Sequence, residues 1–377
     1  MSRVFKIITL NIFTTLVIFE ACSATFLRNR IQKIFSEYLQ NTNIHNGKIG
    51  RGYPKGYFSA HKERGFDIEK NSPPRIKSLP KAAPYLVYGN NIGCFDETPI
   101  SKKRYYVYLA GDSFTWGYTR IEKKFGTLLE NKLQRPVAAC GVTNTGQMHQ
   151  FSKFKDISQQ LGYFPKYVIV NVYLNDIGND FLYPMTTVID GFQVNYSITK
   201  WEGNLPVRVE IPFEELQKTY NKLLTRKRLN RFGDLDPRKY LASAALFGEF
   251  LKLFVFPVKV DESVSYPIKT EFAKKNRNTI IQWINDSKKH NYNLIFADLQ
   301  TQKLKHQLSI GSQEIDQSFC EFIKKEGANC YSFMKFLSIN KPETSMKSIS
   351  WKTNGHFNHK GNKYYAEFLL QILKRYK

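Results

Sequence analysis

The stretch Tyr105–Gly117, YYVYLAGDSFTWG, decides the fold. Tyr105 to Leu109 is a short aromatic and β-branched run, the pattern of a strand buried on both faces. Ala110, Gly111 and Asp112 close it with small and turn-forming residues, and Ser113 follows at once. A strand that stops at Gly-Asp-Ser carries the serine hydroxyl to the carboxyl end of a sheet, where open α/β sheets bind ligands. Gly-Asp-Ser is also ordinary turn chemistry, so a catalytic reading needs further residues in support.

Three further pieces supply it. Tyr167 to Leu174, YVIVNVYL, reads as a second buried strand, with Asn175 and Asp176 at its end. Cys140 to Gly146, CGVTNTG, is a small-residue loop after the short run Pro136 to Ala139. Asn354-Gly355-His356-Phe357-Asn358 precedes a final helix. With these residues on the page, the chain resembles the SGNH/GDSL hydrolases, of a membrane-anchored type. The likeness runs from Tyr105 to the C-terminus with one long interruption. It implies a three-layer α/β/α sandwich around a parallel sheet, flavodoxin-like in form, and a serine hydrolase acting on esters without a cofactor or metal.

The same resemblance assigns roles. Ser113 is the nucleophile and His356 the base, because a serine hydroxyl needs a base within hydrogen-bond reach. The oxyanion donors are the Ser113 backbone N–H, a backbone N–H at Asn144 and the Asn175 side chain. Asp112, Gly141 and Asp176 are neighbours of the site, with Asp112, Asp176 and Asp180 read as turn- and loop-capping residues. Two departures stand out. Asn144 replaces the usual oxyanion glycine, which a backbone donor tolerates because Asn enters the left-handed region more readily than most residues. Asn354 stands two residues before His356, where the family places the aspartate that orients the ring; an amide cannot supply that charge. A Ser–His dyad and an attenuated activity are both compatible with it. His359 reads as a solvated residue at the start of the last helix.

Outside the motifs, strands and helices alternate. Helices are expected over Ile121–Leu133, Gln147–Leu161, Phe272–His290, Gln313–Lys325 and Lys360–Lys377, the last turning Tyr364, Phe368, Leu369 and Ile372 inward. Further strands are expected at Asn293–Leu299 and Gly327–Phe333. Such alternation means a parallel sheet with helices on both faces. Three segments divide the chain: 1–27 as a membrane anchor or signal, 28–100 as an extended lead-in that packs against the catalytic domain, and 101–377 as that domain. An insertion at 184–266 breaks the alternation. It holds a Trp201–Ile211 stretch, a basic helix near Phe213–Arg231 and the apolar Leu241–Phe256, and reads as a helical cap.

At the N-terminus Arg3 and Lys6 precede the apolar run Ile7–Leu27, long enough to cross a bilayer. A signal-anchor helix is the first reading, a cleaved signal peptide ending near Ala21–Ala24 the second, and lipid attachment at Cys22 the third. The first two place the enzyme outside the cytoplasmic membrane. The chain carries 56 basic against 32 acidic residues, a net charge of +24, which favours anionic partners or reflects a scattered solvating surface. No zinc-finger, helix-turn-helix or RNA-binding signature is present, so nucleic acid is not an expected partner. The five cysteines form no Cys-x-x-Cys pair; Cys320 and Cys330 are read as independent buried thiols, with a disulfide as the alternative in an exported domain. Three functions remain open: an esterase removing O-acyl groups from a cell-envelope glycan or lipid, an O-acyltransferase of envelope polysaccharide, and a weakened glycan-binding module.

Overall fold

The computed structural model describes residues 53–77, 84–97, 104–218 (without 174 and 203–204), 273–299, 312–351 and 355–376, with Thr15 and Asn221 besides. Two small antiparallel hairpins come first: β1 (Phe58–His61) with β2 (Gly65–Ile68), and β3 (Arg75–Lys77) with β4 (Tyr85–Val87). The alternation then begins with β5 (Val107–Gly111), α1 (Ser113–Trp116), α2 (Phe125–Leu133), β6 (Val137–Ala139), α3 (Gln147–Leu161), β7 (Tyr167–Val172) and α4 (Asn175–Phe181). Hairpins β8 (Thr186–Ile189) with β9 (Phe192–Asn195), and β10 (Ser197–Glu202) with β11 (Leu205–Glu210), follow. The chain ends with α5 (Lys274–His290), β12 (Asn293–Asp298), α6 (Ser312–Lys325), β13 (Asn329–Ser332), α7 (Phe333–Asn340), α8 (Met346–Ile349) and α9 (His359–Lys374).

Five strands make one parallel sheet in the order β13-β12-β7-β5-β6. The first strand of this set, β5, therefore sits inside, with β6 on one side and β7 on the other. The connections after β5 and after β7 leave in opposite directions, and a crevice opens between them at the carboxyl ends. Ser113 follows β5 and Asn175 begins the helix after β7, so both stand at that crevice.

The sheet is buried on both faces, which is why its strands read as unbroken apolar runs. Every residue of β5, β6 and β7 is buried. On one face Phe154 and Ile157 of α3 and Ile280, Trp283 and Ile284 of α5 pack on Tyr108, Val168, Val170 and Phe296. On the other, Phe125 and Leu129 of α2 and Tyr365, Leu369 and Ile372 of α9 pack on Leu109, Ile169 and Ile295. Each such aliphatic side chain contributes about 1.5–3 kcal/mol by leaving water.

Several expectations change. The helix expected from Ile121 starts at Phe125. Lys124 before it is extended (φ −71°, ψ 145°), and Ile121–Lys123 is a separate 3₁₀ turn. Lys124 is buried because its ammonium donates to the Phe95 carbonyl and attracts the buried Asp96 carboxylate. In α9 it is Tyr365, not Tyr364, that is fully buried, and its hydroxyl donates to Asn171 Oδ1 at 2.7 Å. The cysteines are not independent thiols. Cys320 pairs with Cys330 between α6 and β13, and Cys94 pairs with Cys140. The second pairing joins residues 46 apart and needs the folded lead-in to bring them together.

The described part of the lead-in is folded. Tyr53, Tyr57, Phe58, Phe66, Ile68, Tyr85, Val87 and Phe95 form one aromatic-rich cluster with Trp116, Tyr118 and Val142, which lie beside the parallel sheet. A buried ionic set fixes β2 to α3: Asp67 accepts from Lys153 Nζ and, at 2.8 Å, from Arg64 Nη2. These cations hold the Asp67 carboxyl far below the usual carboxylate range against the opposing cost of burial. The insertion, expected to be helical, is strand hairpins in its described part, followed by a short helix at 213–218. Hairpin β8–β9 packs on β1 and β2: a Cβ on Gly65 would stand 2.1 Å from the Thr186 carbonyl oxygen. Most of the basic segment and all of Leu241–Phe256 lie outside the described residues, as does Ile7–Leu27 apart from Thr15. Among the described residues no helix is long and apolar enough to cross a membrane.

Candidate active site

The serine turn is built by close packing. Gly111 has φ +154°, and a Cβ there would lie 2.1 Å from Thr115 Oγ1. Asp112 caps α1: its Oδ1 accepts from the Phe114 N–H at 2.9 Å, worth about 1 kcal/mol for such a cap. Its carbonyl accepts from Trp116 N at 2.9 Å, and Gly117 (φ +77°) ends the turn by donating to the Ser113 carbonyl at 3.1 Å. The turn is braced from behind by Asn171, whose Nδ2 donates to the Ala110 carbonyl at 2.8 Å and to Thr115 Oγ1 at 3.0 Å. Tyr365 of α9 orients that amide. Ser113 itself is 7% exposed.

His356 reaches this turn from the loop before α9. Its Nε2 stands 2.8 Å from Ser113 Oγ. The same hydroxyl lies 3.2 Å from Asp112 Oδ2, a longer and weaker alternative. Gly355 (φ +74°) makes the bend, its N–H donating to the Trp351 carbonyl, while the Trp351 N–H donates to the His356 carbonyl at 2.7 Å. Phe357 bridges to Ser350, and Asn358 caps α9 by accepting from the Gly361 N–H at 3.0 Å. Two rings lie against the imidazole, Phe114 at 4.7 Å and Tyr118 at 4.3 Å between centroids. Asn354 lies outside the described residues.

The loop carrying Asn144 packs directly on the serine turn. The Val142 N–H donates to the Gly111 carbonyl at 3.1 Å, and a Cβ on Gly141 would meet Trp116 N at 2.2 Å. Gly146 is equally confined, with a Cβ position 2.3 Å from Asp180 Oδ1. These glycines are there for close approach. Asn144 takes φ +61°, the left-handed region. Asn175 opens α4, and its amide bonds the Asp112 carboxyl.

Beneath the crevice lie three buried carboxyls. Burial raises the Asp112 carboxyl, opposed by donors from the Phe114 and Ser113 N–H groups, Asn175 and the Ser113 hydroxyl. Burial raises Asp176 well above the usual carboxylate range, and the Asp112 and Asp180 charges add to it; its Oδ2 accepts from Gln147 Nε2 at 2.8 Å. Burial pushes Asp180 up to about 7, while its Oδ1 caps α3 through the Met148 N–H and its Oδ2 accepts from Asn276, both at 2.8 Å. His359, the first residue of α9, is exposed and held below its ordinary value by partial burial, with Lys123 and Arg120 adding to it. Among the described residues no group of three His, Cys, Asp or Glu side chains is placed to hold a metal ion.

Ser113, Asp112, His356, Asn175 and the Gly141–Gly146 loop thus meet at one crevice. Sequence reasoning missed the ring pair Phe114 and Tyr118, and the Asn171–Tyr365 brace. The aromatics of Phe114-Thr115-Trp116-Gly117-Tyr118 were the available signal, since a turn so rich in rings must bury them.

Solved structures similar to the chain include a protein of the G-D-S-L family from Desulfitobacterium hafniense DCB-2, at 13% identity, 71% coverage of this chain and 98% of that one, with a TM-score of 0.36. An α/β hydrolase enzyme from the metagenome of Lake Arreo is similar at 10% identity, with 71% and 94% coverage and a TM-score of 0.38. A catalytic mutant of an acetylxylan esterase from Geobacillus stearothermophilus is similar at 10% identity, with the same coverages and a TM-score of 0.37. No family model and no curated protein matches the chain.

Proposed function

We propose that the protein is an exported serine esterase that removes O-acyl groups from a cell-envelope glycan or lipid. The observation that carries this reading is the 2.8 Å contact between Ser113 Oγ and His356 Nε2 at the carboxyl edge of a parallel sheet. In the productive state Nε2 is unprotonated and accepts the hydroxyl proton as Ser113 Oγ attacks the ester carbonyl. The negative charge moves to the carbonyl oxygen, where the Asn144 N–H and the Asn175 amide are the donors, with the Ser113 N–H shared between that oxygen and Asp112. The intermediate collapses when His356 returns the proton to the leaving alcohol. Water then repeats the sequence on the acyl-serine and frees the acid.

Export is supported by Arg3 and Lys6 ahead of the apolar run Ile7–Leu27, and by two disulfides, which persist in oxidising compartments. The test is covalent labelling of Ser113 by a fluorophosphonate together with turnover of an aryl acetate, with Ser113→Ala as control. Labelling and turnover in the wild type and neither in the variant are expected. Equal rates in both forms would remove Ser113 from the reaction. Recovery of the chain in the soluble cytoplasmic fraction would overturn export without touching the chemistry.

A further inference from the structure

Tyr118 flanks the base, but it lies beyond Gly117, outside the α1 turn that fixes Phe114. Its ring therefore depends on what holds it from elsewhere. At its backbone end the Tyr118 carbonyl accepts from Trp351 Nε1 at 3.0 Å. At its hydroxyl end the partner is Tyr53 of the lead-in, oxygen to oxygen at 2.9 Å.

Tyr53 is itself locked. It is 9% exposed, with Lys77 Nζ 3.9 Å from its ring centroid. Phe58 and Trp116 meet it edge-on at 5.0 and 5.4 Å, and Tyr57 stacks on it at 5.9 Å. Tyr57 accepts the Trp116 indole N–H at 2.7 Å. Burial raises the Tyr53 hydroxyl well above the ordinary phenol range, so it stays protonated and able to donate. The buried Thr143 side chain, next to Asn144, also acts on this hydroxyl, although no hydrogen bond of standard geometry joins them. One lead-in hydroxyl thus stands between the ring that flanks His356 and the loop that carries Asn144.

We infer that Tyr53 is a positioning residue for the hydrolase: through Tyr118 it fixes the His356 imidazole over Ser113, in register with the Asn144 loop. The inference rests on the Ser113–His356 reading above. Small displacements of a catalytic group cost up to about a hundredfold in rate, so losing one supporting hydroxyl should cost roughly tenfold.

The test uses the full chain and four forms: wild type, Tyr53→Phe, Tyr118→Phe and the double variant. Tyr85→Phe is the control, because Tyr85 lies in the same aromatic cluster and its buried hydroxyl has no hydrogen-bond partner among the described residues. With an aryl acetate, Tyr53→Phe should lower kcat roughly tenfold with KM within about twofold, and slow fluorophosphonate labelling in parallel. Tyr118→Phe should match it, and the double variant should be no worse than either single one, since both remove the same bond. Tyr85→Phe should stay within about twofold of wild type. Additive losses in the double variant, an unchanged kcat in Tyr53→Phe, or an equal loss in Tyr85→Phe would each overturn the inference. Should Tyr53→Phe fail to fold, Tyr118→Phe reads the same bond from its other end. The His356 ring resonances provide a measurement that needs no turnover. One sharp set in wild type and broadened or doubled signals in Tyr53→Phe are expected, and identical spectra would overturn the inference. An absence of labelling in wild type would instead sink the hydrolase reading, and the inference with it.

Discussion

The Ser113 turn and the His356 loop face each other across 2.8 Å, yet one is packed too closely for an added carbon and the other is held by rings laid against the imidazole. Around Ser113, Gly111 and Gly141 leave no room for a single extra carbon. At Gly355 nothing among the described residues lies within 4 Å of a Cβ position, and the imidazole is placed by Phe114, Tyr118 and the cap of α9. The difference teaches that the place of Ser113 is written into the sheet's own connections. The place of His356 is borrowed from rings that other segments must deliver.

Four tests, one of them a pair of glycine substitutions, sharpen or break that contrast. Asn175→Ala, which removes a donor from the crevice, should lower kcat by roughly 10²–10³ with a smaller effect on KM, read from steady-state kinetics on an aryl acetate. An unchanged kcat would leave the oxyanion to backbone donors and remove Asn175 from the site. The glycines come next. Gly141→Ala drives a Cβ against the Trp116 backbone and should cost about 3 kcal/mol in urea unfolding, with activity lost alongside. Gly355→Ala meets only the left-handed backbone penalty of about 1 kcal/mol. Equal costs at the two positions would erase the distinction between the segments.

The third change concerns the carboxyls below the serine turn. The Asp180 carboxyl sits at about 7 in the folded protein, against about 4 when unfolded. Between those values the folded state binds the extra proton, so this group's contribution to stability is fully present below pH 4 and is lost as pH rises toward 7. The slope from this group approaches about 1.4 kcal/mol per pH unit. Asp180→Asn should flatten the pH dependence of unfolding free energy in that window, and a slope identical to wild type would place the burden on Asp176 or Asp112. The smallest effect is expected at residue 354, two positions before His356. Asn354→Asp should raise kcat/KM, by less than about tenfold, if residue 354 orients the ring, because the reverse change in serine proteases costs about 10⁴. A fall in rate with the fold intact would mean that another group orients His356.

The sheet was legible because its strands are buried on both faces. Runs such as Tyr167–Val172 need no partner to be recognised, and Ser113, Asn175 and His356 stand at turns with strong local chemistry. What escaped depends on distance along the chain. Strands β1 to β4 have three or four residues each, too few to show a period, and they sit among glycines and prolines that read as turns. Pairing Cys94 with Cys140 required knowing that the lead-in folds back on β6. Gly141 and Gly146 read only as parts of a small-residue loop, because the atoms that crowd them come from Thr115, Trp116 and Asp180, far away in sequence. The move from Tyr364 to Tyr365 is one step of helical phase, settled by the reach of Tyr365 to Asn171 on β7.

The Cys94–Cys140 link has a topological consequence. It closes β5, the Ser113 turn, α2 and β6 into one covalent ring. For a loop of this size, closure removes about 4 kcal/mol of freedom from the unfolded chain in the entropic account. The exposed Arg120, Glu122 and Lys123 lie within the ring, where a protease can reach the backbone. A nick there leaves the halves joined, so the severed chain runs as one species on a denaturing gel until a reductant is added.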